Sequence, residues 1–283
     1  ISDLYKSDRV LIGGDKTRAG KNAVNELVNI YKRWIPKSKI LTTNVWSSEL
    51  SKLASNAMLA QRISSINSLS ALSKVTEADI DEVSEAIGMD SRIGKHFLKV
   101  SPGFGGSCFQ KDILNLVYLF RYYGLDDQAD YWHGVININN TQRRRVSDIL
   151  ISYCNENKLD KKVALLGWSF KKNTNDTRES SSIYIAYDLI CRGFKITIYD
   201  PQVKYAKVLK DLTSLNMSRS ILNDDIIHES IIYKDDFEEL IVSENIIAIL
   251  TEWDEFIKIE KYSDKKIFDF RNFIDKDKTT FHF

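Results

Sequence analysis

Proline and glycine are scarce in this chain: three and twelve in 283 residues, too few for a disordered or fibrous protein. A charge surplus is missing too. Forty basic side chains face 39 acidic ones, leaving +1, and the basic excess of a nucleic-acid binder is not there. No apolar run reaches the roughly 18 residues of a membrane span. The opening Ile1-Ser2-Asp3 has neither the basic start nor the apolar stretch of a signal peptide. Cysteine is rare: Cys108, Cys154 and Cys191 are odd in number, far apart and without CxxC spacing. That argues against a disulfide framework or a zinc site and favours a reducing, cytoplasmic setting. The four histidines suggest no metal site. What is abundant is apolar residue, 43% of the total, enough for one large domain or two ordinary ones. Position 1 is not Met, and the first recognisable element follows at once, so the chain is expected to start partway through a larger protein.

Three stretches differ in character. Residues 9–14 (RVLIGG) read as a short buried strand, and residues 19–34 carry Val24, Leu27, Val28, Tyr31 and Trp34 at helical spacing until Pro36. KILTTN (39–44) is a second strand. Residues 1–46 are therefore expected to be the tail of an α/β domain. Residues 47–157 read as nearly all helical: 47–75 capped by Ser47 or Ser48, then 79–87 ending at Gly88, 109–123 ending at Gly124, and 128–156. The last contains the basic run Arg143-Arg144-Arg145, and one glycine-rich loop interrupts the series at 101–107. From 158 to 283 the α/β pattern returns. Strands are expected at 161–167, 194–200, 244–251 and 265–270, with a helix at 181–193 closed by Gly193. Unbroken Val/Ile/Leu runs alternating with helices indicate a parallel sheet covered on both faces.

Several constellations can carry chemistry. In SPGFGGSCFQKD (101–112) the glycines leave the backbone free to approach a ligand, and Cys108 follows just before a helical pattern. A thiol at a helix N-terminus near Lys111 favours the nucleophilic thiolate. Asp112, four residues on, can face the same side. A glycine turn beside a buried cysteine is the plainer alternative. Lys52 and Asn56 form an i,i+4 pair on the 47–75 helix, where a solvated lysine and a surface amide would serve equally well. LLGWSFKKNTNDTRESSS (165–182) places Lys171, Lys172 and Arg178 beyond a strand's carboxyl end, which suits a phosphate or an ordinary charged loop. Arg271 lies past another strand. No G-x-G-x-x-G is present, and Trp168 and Phe170 replace small residues after VALLG.

Taken together, RVLIGGD (9–15), KILTTNVWSSELSKLASNAMLAQRISSINSLSAL (39–72), AIGMDSRIG (86–94), FLKVSPGFGGSCFQKDILNLVYL (97–119), FKKNTNDTRESSSIYI (170–185) and TEWDEF (251–256) resemble the UDP-glucose/GDP-mannose dehydrogenase family, and within it the UDP-glucose type, over essentially the whole chain. The resemblance implies an α/β protein: the remnant of a first, NAD-binding Rossmann domain (1–46), a helical central dimerisation domain (47–157) and a Rossmann-like parallel-sheet UDP-binding domain (158–283). It implies NAD-dependent, two-step oxidation of UDP-glucose to UDP-glucuronate through a thiohemiacetal and a thioester on Cys108. By that resemblance Lys52 would stabilise the oxyanion, Asp112 would activate water, and Asn56 would hydrogen-bond near the reacting centre. Phe97, Leu98, Lys99, Ser101, Gly103, Phe104 and Gly105 would hold the sugar nucleotide, and Phe170, Lys171 and Arg271 the UDP. Arg92 would reach the sugar nucleotide of a neighbouring subunit, in a homodimer or a hexamer built as a trimer of dimers. Cys108, Lys111 and Arg178 would meet NAD. Neither a nucleic acid nor a membrane is implied as a partner. The family's G-x-G-x-x-G, its nicotinamide-side threonine and its catalytic glutamate would lie before residue 1. A related nucleotide-sugar dehydrogenase acting on UDP-N-acetylmannosamine or GDP-mannose, and a truncated non-catalytic UDP-sugar binder, are the competing readings.

Overall fold

The computed structural model describes residues 2–283, which divide into two compact units, 2–58 and 59–283. In the first, a short helix α1 (Ser2–Tyr5) precedes β1 (Val10–Gly13), α2 (Arg18–Tyr31) and β2 (Ile40–Thr43). The two strands pair in parallel, Val10 opposite Ile40 and Gly13 opposite Thr43. Thr17 caps α2 by accepting the Gly20 N–H.

Helix α3 (Val45–Ser73) spans the residue at which the units divide. Its cap is Asn44, not Ser47 or Ser48: the Asn44 Oδ1 accepts the Ser47 N–H at 2.8 Å. β2 runs straight into the helix, so the two serines already lie inside the first turn, where the Ser48 hydroxyl donates to the Val45 carbonyl. The many serines of α3 use the same device. Ser51, Ser55 and Ser70 donate to carbonyls three or four residues back, and so bring few unmet polar groups into the helix.

In the second unit α4 (Ile80–Met89), α5 (Phe109–Tyr122) and α6 (Asp126–Glu156) follow. Helix α4 runs one residue past Gly88, which is buried with Lys95 close against it, 3.3 Å from where a Cβ would lie. Then come β3 (Lys162–Leu166), α7 (Ser181–Cys191), β4 (Lys195–Tyr199), α8 (Tyr205–Arg219), α9 (Asp224–Ser230), β5 (Ile231–Tyr233), α10 (Phe237–Ser243), β6 (Ile246–Ile249), β7 (Lys266–Asp269) and β8 (Phe281–His282). The sequence pattern shows four of these strands. β5 and β8, of three and two residues, are too short to give a period.

All six strands of this sheet are parallel, in the order β5-β4-β3-β6-β7-β8. Counted from its own first strand this is 3-2-1-4-5-6, the doubly wound Rossmann order, with the switch point between β3 and β6. The pleat divides the apolar run of β3 between two cores. Val163 and Leu165 face α7, α8 and the second half of α6, whereas Ala164 and Leu166 face Phe237, Leu240 and Phe256. Since Val146, Leu150 and Cys154 of α6 join the first core, the helical stretch and the sheet share one hydrophobic interior.

Asp79 caps α4 through the Asp81 and Glu82 N–H groups and also meets Lys276 Nζ at 2.5 Å. Its carboxyl is held below the usual range by the Lys276 bond, against partial burial, with help from the two backbone donors. The stability this gives is full above the ordinary value of 3.8 and is lost as pH falls through the lower folded value. Lys276→Met is expected to lower stability at neutral pH by up to about 1 kcal/mol. It should also flatten the acid limb of a urea-midpoint-versus-pH curve; an unchanged acid limb would contradict the assignment.

Candidate active site

Between α4 and α5 the chain runs without regular structure, yet Leu98, Val100, Ser101 and Phe104 are buried. Buried irregular backbone needs partners for its N–H and C=O groups. Side chains from three helices provide them. Ser84 of α4 donates to the Leu98 carbonyl at 2.7 Å. Asn67 of α3 accepts the Ser101 N–H at 2.9 Å, and Gln142 of α6 donates to the Ser101 carbonyl at 2.9 Å. Asn139 of α6 takes both sides of Phe104, accepting its N–H at 2.8 Å and donating to its carbonyl at 3.1 Å.

The glycines of this loop allow close packing against the protein itself. A Cβ on Gly105 would lie 2.5 Å from the Glu179 carbonyl and 2.9 Å from Phe170, and one on Gly103 would meet Asn139 and Ser181. The space their side chains would take is filled by protein, so the loop is packed onto the segment between β3 and α7. Gly103 also has φ +130°, which only glycine adopts readily. The Gly106 N–H donates to the Arg178 carbonyl at 2.8 Å and joins the two segments directly.

Cys108 stands at the N-cap position of α5 and is exposed. Its hydroxyl neighbour Ser107 lies 3.6 Å from the sulfur. The Cys108 carbonyl accepts the Asp112 N–H at 2.9 Å, so the thiol and the buried Asp112 carboxyl are one helical turn apart. Lys111 lies 3.7 Å from that carboxyl and is largely solvated. Arg178 is gripped in a fork by Asp176, which raises its pKa.

At the carboxyl ends of the strands, much of the polar equipment is turned inward. Asp200, after β4, accepts the Trp168 and Ser169 N–H groups at 2.7 and 3.0 Å and the Ser169 hydroxyl. These are the turn amides that a dinucleotide fingerprint would offer to a pyrophosphate, and here a carboxylate occupies them. Gly167 makes room for Thr251 across the switch point. Phe170 is half-buried against Gly105 and Gly106, with the exposed Lys171 ammonium 5.4 Å from its ring centre. Lys172 pairs with Asp254 at 2.6 Å, and Arg271 pairs with Glu252. Asp269, at the end of β7, is fully buried. Burial pushes its carboxyl up, while three backbone donors and the Lys99 ammonium pull it down. Lys99, Phe170, Lys171 and Arg271 thus border one edge of the sheet.

The remaining expected residues have local settings of their own. Arg92 is solvent-exposed, and Asp90 chelates it through two contacts at 2.6 and 3.0 Å. Phe97, with φ +62°, packs edge-on to Phe109. Lys52 and Asn56 belong to the first unit, one turn apart on α3, with Lys52 lining a shallow pocket of about 340 Å³ beside Arg9 and Glu49. A groove of about 560 Å³ between α6 and β8 is lined by Arg144 and Arg145 and by none of the residues expected to bind substrate or cofactor. Among the described residues, no cluster of His, Cys, Asp and Glu suited to a metal and no helix long and apolar enough to cross a membrane is present.

Sequence reasoning noticed the Arg143-Arg144-Arg145 run and missed its division of labour. Arg143 is 3% exposed. Arg145 bonds to Ser70 of α3, while Arg144 faces solvent. Asn139, Gln142 and Arg143 occupy the inward stripe of α6 between Ile136 and Val146. Polar residues on an otherwise apolar helical face were the available signal.

Two family models match the chain: the UDP-glucose/GDP-mannose dehydrogenase family's central domain over residues 46–141 and its UDP-binding domain over 164–276. The mouse UDP-glucose 6-dehydrogenase is 52% identical over 260 residues, covering 92% of this chain and 52% of its own length. That of Caenorhabditis elegans is 50% identical over 259 residues, covering 92% and 53%. A solved UDP-glucose dehydrogenase structure from Pyrobaculum islandicum superposes with TM-score 0.80 at 29% identity, over 99% of this chain and 59% of that one. The chain spans about half the length of the curated relatives it matches.

Gly105→Ala is expected to destabilise the second unit by about 1–3 kcal/mol, since the obstructing atom is a backbone carbonyl. A thermal midpoint equal to that of the unsubstituted chain would show that the two segments are not packed this tightly.

Proposed function

The chain belongs to the UDP-glucose/GDP-mannose dehydrogenase family, and from that membership we propose that it provides the substrate-binding, cysteine-bearing part of an NAD-dependent UDP-glucose 6-dehydrogenase. The observation that carries the proposal is the exposed Cys108 thiol at the head of α5, one turn from Asp112, on a loop fastened to the carboxyl edge of a Rossmann-ordered sheet. In this reading 47–157 is the helical dimerisation domain, 158–283 the UDP-sugar domain, and 1–46 part of the cofactor domain.

The sugar nucleotide lies along the sheet edge, its uracil side near Phe170 and its phosphates near Lys171, Lys99 and Arg271, as ligands do in open α/β sheets. Phe97, Leu98, Ser101, Gly103, Phe104 and Gly105 shape the wall of that cleft. Once the C6 alcohol has lost a proton and a first hydride to become an aldehyde, the Cys108 sulfur adds to its carbonyl carbon and the C=O π pair moves to oxygen. Loss of a second hydride leaves a thioester, whose C–S bond breaks when water adds and releases the carboxylate and the thiol. Asp112 takes a proton from the water. Lys52 neutralises the oxyanion and Asn56 hydrogen-bonds beside it. NAD, when bound, supplies the hydride acceptor. The exposed cations Lys111, three residues after Cys108, and Arg178, on the segment bonded to the Cys108 loop, suit its negative charges. Arg92 reaches a neighbouring copy, in a homodimer or a trimer of dimers. The three free cysteines suit a reducing cytoplasm.

These 283 residues contain no G-x-G-x-x-G, so NAD reduction is expected only where a dinucleotide-binding domain accompanies them. Calorimetry should show UDP-glucose binding by the chain, with Cys108→Ser binding within about twofold of it. In a protein that carries this segment together with such a domain, Cys108→Ser should lower turnover at least ~1,000-fold. Binding that falls in step with turnover would defeat the nucleophile role.

A further inference from the structure

Three consecutive arginines sit on α6, and only Arg143 is fully buried. Burying a guanidinium is costly unless its donors are met, and burial does hold this one below its usual pKa. Its donors are met mostly by backbone and side-chain oxygens of two segments. One nitrogen, Nη2, donates to the Phe104 carbonyl and to the Glu179 carbonyl, both at 2.9 Å. Nε reaches the Ser181 hydroxyl at 3.3 Å, and Nη1 reaches Asn140 at 3.2 Å. The plane of the group lies on the Tyr184 ring, 4.0 Å from its centre, and the Tyr184 hydroxyl donates to the Glu179 carboxylate at 2.5 Å. Phe104 is four residues before Cys108, and Glu179 directly follows Arg178.

We infer that Arg143 is the positioning residue for Cys108: its bifurcated guanidinium clamps the segment that bears the thiol to the segment that bears Arg178. The clamp uses both hydrogens of one nitrogen, a fixed fork that a lysine ammonium cannot reproduce while also stacking on a ring. The neighbouring contacts act in the same direction. Gly106 donates to the Arg178 carbonyl, and Gly105 has no room to move off Glu179. Tyr184 fixes the plane of the fork and, through Glu179, its far end. The inference rests on the reading of Cys108 as the reactive thiol. Displacing a reacting group by about 1 Å costs up to ~100-fold in rate.

The test measures Cys108 alone. Iodoacetamide alkylation of the folded chain, followed by mass spectrometry of the Cys108 peptide, is compared for Arg143→Lys, Tyr184→Leu and Leu150→Ala. Leu150 is buried in the same helix and takes no part in the hydrogen bonds of the clamp, so its variant reports general loss of stability. Arg143→Lys and Tyr184→Leu are expected to slow alkylation at neutral pH about tenfold well below their melting temperatures, because the thiol loses its fixed, solvent-facing place at the head of α5. Leu150→Ala is expected to melt earlier with an unchanged rate. Rates within twofold of the unsubstituted chain in both clamp variants would overturn the inference, as would an equal slowing in Leu150→Ala. Should Arg143→Lys not fold, Tyr184→Leu decides. Neither NAD nor a sugar nucleotide enters the assay, so a failure of the dehydrogenase proposal, which the turnover assay reads, is told apart from a failure of the clamp.

Discussion

A loop that is buried along much of its length has to find a hydrogen-bond partner for each backbone group without help from a helix or a strand. The segment between α4 and α5 meets that demand with side chains of α3, α4 and α6, and most of the remaining features follow from it. Asn67, Ser84, Asn139, Gln142 and Arg143 each take a carbonyl or amide of the segment. Leaving one such group unmet costs about 1–3 kcal/mol, so the set acts as a single lock. Cys108 emerges from the end of the locked stretch, just as α5 begins. An exposed thiol on a rigid support is the arrangement that covalent chemistry needs.

The sheet edge obeys the same economy in a different way. Asp200 follows β4 and Asp269 ends β7, three strands away in the sheet, and both spend their oxygens on the protein's own amides. A Rossmann-ordered sheet is thereby closed to the pyrophosphate that such sheets hold at the first turn. What stays outside the closed turns is Phe170, Lys171, Lys99 and Arg271, an apolar ring with three cations. Glu252 and Asp254 already hold Arg271 and Lys172, so the local field is moderated before any anion arrives. This inward use of the turn amides also explains why Trp168 and Phe170 stand where a cofactor-binding turn would have small residues. Trp168 is a core residue whose backbone N–H is fixed by Asp200, and its bulk is accommodated because nothing else must enter there.

Legibility in the sequence followed the strength of periodic signals. The long helices α3, α5 and α6 and the strands β3, β4, β6 and β7 were visible because each repeats an apolar spacing over several residues. The helices α8, α9 and α10 and the strands β5 and β8 were not, being short, mixed in polarity or both. Cys108 and Asp112 were found through their spacing at a helix start. Arg143 was seen only as part of a charged run, because three adjacent arginines on a helix point in three directions and composition does not say which one turns inward.

The sequence by itself determined the α/β class, the helical stretch between the two α/β regions, the thiol at the head of a helix and membership of a dehydrogenase family. Those properties rest on local spacing and on collinear motifs, which short-range physics and similarity can read. Only the tertiary structure decided that the glycines of 101–107 are a packing surface, that Asp200 occupies the turn amides, and that Arg143 joins two segments thirty-odd residues to either side of it. Each of these depends on which atoms fill the space left by others, and that is set when distant parts of the chain meet in one core.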